Sequence, residues 1–137
     1  MDFIVAGEGV PVSVGAYGAQ IAYYGSEIVL NYETEPPMGD FVYSARLPLL
    51  NREIPFWMYG RKLVFLDAYY VLIEKVEKKT WNPITTVIID IHRGKYVSLG
   101  NWYTDISVED EVVLKNRFDG NSMTLKGVDE LNWINIE

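Results

Sequence analysis

The stretch VVLKNRFDGNSMTLK, residues 112–126, decides the fold. Folded about Asp119-Gly120, it places Val112, Leu114, Phe118, Met123 and Leu125 on one face. Val113, Lys115, Arg117, Ser122, Thr124 and Lys126 fall on the other. Glycine accepts the positive φ that a tight hairpin turn requires. A one-residue slip would carry the lysines into the core, so the register is firmly specified.

Three further dipeptides repeat this chemistry between apolar runs: Gly25-Ser26, Gly60-Arg61 and Arg93-Gly94. With Gly25-Ser26 as the loop, Tyr23 faces Ile28 and Ile21 faces Leu30, and Tyr32 extends the same face. With Arg93-Gly94 as the loop, His92 pairs with Lys95, and Asp90, Val97, Ile88 and Leu99 share its face. The runs at residues 56–58, 63–66, 71–73 and 87–91 are apolar almost without a break, the pattern of strands covered on both faces. Residues 67–79 fit a strand better than an amphipathic helix, whose apolar stripe would include Glu74 and Glu77.

Residues 2–5 and 10–14 read as short strands around a Gly-rich corner. Gly7 and Gly9 open no dinucleotide fingerprint, because position 12 is Val and no helical pattern follows. Residues 33–40, with Pro36-Pro37 and Gly39, predict a crossover between sheets, and residues 44–55 predict a second irregular connection. Trp57 and Trp81 each precede an apolar strand by the same interval, the trace of a degenerate hairpin repeat. The expectation is one all-β domain over residues 1–137: mainly antiparallel, built of hairpins, with about eight to ten short strands in a sandwich or open barrel.

Charge is uneven. The net charge is −7, yet residues 1–45 hold Asp2, Glu8, Glu27, Glu33, Glu35 and Asp40 with no base before Arg46. Such a field repels nucleic-acid phosphates and favours a basic partner. Cysteine is absent, which removes disulfides and thiolate metal sites. With no basic n-region, no apolar run long enough to span a bilayer and no glycosylation sequon, the chain is expected to be cytoplasmic, with no membrane or nucleic-acid partner.

No motif supplies a nucleophile with its base, a phosphate-binding loop or a metal-ligand spacing, so neither a cofactor nor a metal is expected and the chain is read as a non-enzyme. The single histidine, His92, is placed at a hairpin tip in a structural role. Asp105, Glu109, Asp110 and Glu111 crowd one connection, and Trp102-Tyr103 occupies a loop suited to a protein hot spot or to sugar stacking. The candidate partner-binding residues are therefore Glu33, Glu35, Asp40, Trp102, Tyr103, Asp105, Glu109, Asp110 and Glu111. The expected function is a small acidic binding module for a basic protein surface, of the type of immunity inhibitors. The alternatives are a phage or secretion-system structural subunit, a sugar-binding module, and a carboxylate-based hydrolase using Asp90, Asp105, Glu109 and Asp110.

Overall fold

A computed structural model describes residues 2–35, 40–77 and 84–136. Thirteen strands follow in order: β1 (Asp2–Val5), β2 (Ala19–Tyr23), β3 (Ser26–Thr34), β4 (Val42–Leu47), β5 (Arg52–Glu53), β6 (Trp57–Phe65), β7 (Tyr70–Val76), β8 (Thr85–Asp90), β9 (Lys95–Ser98), β10 (Asp105–Val108), β11 (Val112–Lys115), β12 (Ser122–Leu125) and β13 (Ile134–Asn135). The only helical segment among the described residues is a 3-10 turn at Val128–Glu130. The all-β reading holds; the thirteen strands among the described residues exceed the expected eight to ten, and two of them, β5 and β13, are two-residue edge pieces.

The large sheet runs β1-β2-β3-β4-β6-β7-β8-β9-β13, with β5 on β4; β10-β11-β12 form a separate antiparallel sheet. All neighbours in the large sheet are antiparallel except β1 and β2. One core cluster draws Ile21, Leu30, Tyr43, Leu63, Phe65, Ile73 and Ile89 from strands across the large sheet, so that sheet curls around it. The chain after β1 bridges β6 at Glu8↔Phe65 and Val12↔Leu63, and Tyr43 Oη donates to the Val14 carbonyl at 3.0 Å. These contacts draw the curl together. The alternate residues Val64, Leu72 and Ile88 face outward and are covered by Leu114 and Leu125 of the small sheet. The unbroken apolar runs thus carry cover on both faces, as expected.

The hairpin registers need correction, and all in the same way. The β2–β3 loop is Tyr24-Gly25, with φ 42 and 80, because Tyr23 pairs with Ser26. Asp90, not His92, pairs with Lys95. Lys115 pairs with Ser122, and Asn116 and Asn121 are joined just beyond. Each pairing moves by two positions, which preserves which face a side chain occupies. Leu114 and Leu125 are therefore buried and Lys115, Arg117 and Lys126 exposed, while Tyr23 and Met123 are half-buried. Phe118 is displaced from its expected apolar face into the turn, where it is 75% exposed.

Gly60-Arg61 is not a turn; it lies inside β6, where the pairing with β7 shifts between Tyr59 and Val64. Residues 33–40 join neighbouring strands β3 and β4 rather than crossing between sheets, with Pro36-Pro37 and Gly39 themselves outside the described residues. Residues 44–47 continue β4, leaving only residues 48–51 as a turn before β5. Val10–Val14 contributes a single bridge residue, Val12, instead of a strand. β7 confirms a strand within residues 67–77; residues 78 and 79 and Trp81 lie outside the described residues.

Candidate functional site

The shift in β6 and β7 pairing turns Arg61 toward Glu74 on the neighbouring strand. Arg61 Nε and Nη2 donate to Glu74 at 3.2 and 3.0 Å, and Nη1 donates to Asp40 Oδ2 at 2.8 Å. Trp102 Nε1 donates to Glu74 Oε2 at 2.7 Å. The guanidinium lies 4.4 Å from the Tyr59 ring centroid and 5.6 Å from that of Trp102. Burial works against the Arg61 charge, but the bonds it donates to Glu74 and Asp40 outweigh it and hold the guanidinium pKa above its ordinary value.

Around this cluster runs a cleft of about 310 Å³ lined by Arg61, Lys62, Glu74, Trp102, Thr104, Arg117 and Phe118. Trp102 stacks on Phe118 with ring centroids 5.9 Å apart. Lys62 Nζ donates to the Thr104 carbonyl, and Arg117 pairs with Asp105 at 3.1 Å. The hydrogen bond from Thr104, helped by Arg117 and Lys62, holds the Asp105 carboxyl below its usual range. Three of the sequence candidates, Asp40, Trp102 and Asp105, converge here. Their polar groups are bonded to partners within the chain, so the cluster clamps the 102–105 segment onto β6 and β7.

The other candidates are dispersed. Tyr103 is buried in the core beneath the small sheet, which corrects its expected place on a binding surface; its N–H donates to Thr86 Oγ1 at 2.9 Å. Glu33 accepts from Ser44 Oγ at 2.6 Å, and Glu35 is exposed at the end of β3. Glu109, Asp110 and Glu111 form the exposed turn between β10 and β11, where, among the described residues, only Glu111 meets a cation, Lys126, at 3.7 Å. No group of three or more ligand-type side chains that could hold a metal exists among the described residues.

Of the carboxylates considered for hydrolysis, Asp90 is buried and accepts the backbone N–H groups of His92 and Arg93 at 3.1 and 2.9 Å. It caps the β8–β9 turn rather than facing Asp105, which is held by Thr104 and Arg117. His92 is exposed in that turn, and its Nε2 lies 2.8 Å from Ser26 Oγ and 3.0 Å from the Ala68 carbonyl. Ser26 is buried and its hydroxyl donates to the same carbonyl. The trio fastens the β2–β3 hairpin to two loops.

One surface escaped the sequence search. Phe3 and Val5 of β1 are 64% and 75% exposed, and Tyr17 and Tyr24 are each 83% exposed. In register, Phe3 lies beside Gln20, and Val5 beside Ala22 and then Glu27. Val5, Ala6, Gly7, Glu8, Tyr23 and Tyr24 line a depression of about 550 Å³. Partial burial, with Glu8 nearby, raises the Tyr23 hydroxyl pKa. The missed signal was coincidence: the base-free first third also carries apolar residues at outward-facing positions.

No protein-family model, curated protein or solved structure matches the chain. Among the described residues, no helix is long and apolar enough to cross a membrane.

Proposed function

We propose that this protein is a small binding module that holds a basic surface of another protein against its β1–β3 end. One observation carries the reading. The exposed apolar side chains Phe3, Val5, Tyr17 and Tyr24 share the first 45 residues with Asp2, Glu8 and Glu27, and no base lies among them. Exposed aromatic and aliphatic residues supply contact area at an interface, while like-signed charge steers and selects an oppositely charged partner. Of the acids in this segment, Asp40 pairs with Arg61, a cation it shares with Glu74, while Asp2, Glu8, Glu27, Glu33 and Glu35 set the field.

Occlusion of a cationic surface is how an immunity-type inhibitor acts, and that is the physiological class we assign. The exposed acids Glu109, Asp110 and Glu111 offer the same partner a second point of attachment. The test is affinity capture from the source cells with the natural chain and with Asp2→Lys/Glu8→Lys/Glu27→Lys in parallel. A basic protein held by the first, lost by the second and released by salt is expected. Recovery of the same proteins by both would refute the reading.

A sugar-binding module is the second reading, because Phe118 is exposed while stacked on Trp102 at the rim of a polar cleft. Glycan-array binding abolished by Phe118→Ala would favour it.

A further inference from the structure

We infer that the partner engages this protein by strand addition, laying an extended basic segment along the free edge of β1. The inference rests on the binding reading above and specifies its geometry.

Among the described residues, β1 is the terminal strand of the large sheet and pairs with β2 alone, in parallel. In a parallel ladder, alternate residues direct both backbone groups to the same side. Asp2 N–H bonds to the Gly18 carbonyl at 3.4 Å and Ala6 N–H to the Ala22 carbonyl at 2.8 Å. The even-numbered residues therefore face β2. The N–H and C=O groups of Phe3 and Val5 point to the open edge, and among the described residues no further backbone bond is made by either N–H. Both residues are exposed, and the segment that returns past β1, residues 7–15, makes no backbone bond to either N–H. An unpaired edge of this kind is a template for another chain.

Proteins commonly blunt such edges with proline, lysine or a bulge; β1, with the sequence Asp-Phe-Ile-Val, has none of these. Charge selects the occupant. A second copy docking edge to edge would set Asp2 and Glu8 against the same acids, with no base in either first third. A segment rich in Lys or Arg meets the opposite condition. Its main chain would bond Phe3 and Val5, and its cations would face Asp2, Glu8 and Glu27.

The probe is a capped peptide of alternating lysine and valine, added to the ¹⁵N-labelled full chain at low salt. A fully N-methylated peptide of the same sequence keeps the charge and loses every backbone donor. Amide exchange at Phe3 and Val5 is expected to slow by at least ~10-fold with the first peptide and to stay unchanged with the second. The variant Val5→Pro deletes one edge donor at a position where no internal bond is lost, and it is expected to weaken binding of the first peptide at least ~10-fold. If both peptides bind equally and the two amides stay unprotected, charge recognition stands and strand addition is overturned. If neither binds, both readings fail. A concentration-dependent dimer that protects Phe3 and Val5 without peptide would make a second copy the occupant and overturn the assignment.

Discussion

Arg61 and Glu74 form a forked ion pair across β6 and β7, with the carboxylate almost wholly buried, its side chain 6% exposed, and the guanidinium 34% exposed. Removing one partner of such a pair leaves an uncompensated charge in a water-poor setting. Glu74→Ala is expected to destabilise the fold by about 3 kcal/mol, the low end for a buried pair because Arg61 keeps some solvent. Urea denaturation measures it. A loss under about 1 kcal/mol would show that the pair acts as a surface bridge.

Gly60→Ala isolates a steric requirement. A Cβ at this position would collide with the Tyr43 ring and approach Val14 Cβ to 3.1 Å. Tyr43 is fully buried, and its hydroxyl is bonded to the Val14 and Gly15 carbonyls, so it cannot yield cheaply. The expected cost is roughly 1–3 kcal/mol, read from the denaturation midpoint. An unchanged midpoint would mean that β4 and β6 are less closely apposed.

Leu114→Ala tests the docking of the small sheet. Leu114 is fully buried against the outer face of the large sheet with Val64, Leu72 and Ile88. A loss of about 2–5 kcal/mol is expected. A loss under about 1 kcal/mol would place Leu114 on a solvent face.

Tyr70 supplies the pH test. Burial, with the bond its hydroxyl donates to Asp129 Oδ1 at 2.9 Å, pushes its pKa up to about 12. A raised folded-state value means that this contribution is whole below pH 10 and lost as pH rises from 10 toward 12. The ultraviolet difference titration between the natural chain and Tyr70→Phe is expected to show one phenol ionising near pH 12. A midpoint near the ordinary tyrosine value of about 10 would contradict the bond to Asp129.

Face assignments were legible in the sequence because alternation has period two, and Leu114, Leu125, Ile28 and Leu30 remained inside when every hairpin pairing moved by two. Turn lengths were less legible. Asp90 and Asn116 cap their turns through side-chain bonds to following backbone amides, and the dipeptide reading ignores such bonds. Gly60 was misread because its demand is closeness to Tyr43, seventeen positions earlier, and local turn chemistry carries no trace of that. The Arg61 cluster was half visible: Asp40 and Trp102 stood out as candidates, but only the β6–β7 pairing brings Glu74 between them. Tyr103 stood among the binding candidates through its place beside Trp102 in a loop, and nothing local shows that the small sheet folds over it.

The central claim is that the acidic, aromatic β1–β3 end grips a basic partner. Its most direct test is the association rate of the captured partner with the natural chain and with Asp2→Lys/Glu8→Lys/Glu27→Lys, at low and at high salt. The natural chain is expected to associate at least ~10-fold faster at low salt, with the difference collapsing as salt rises. Equal rates for the two chains at low salt would contradict the claim.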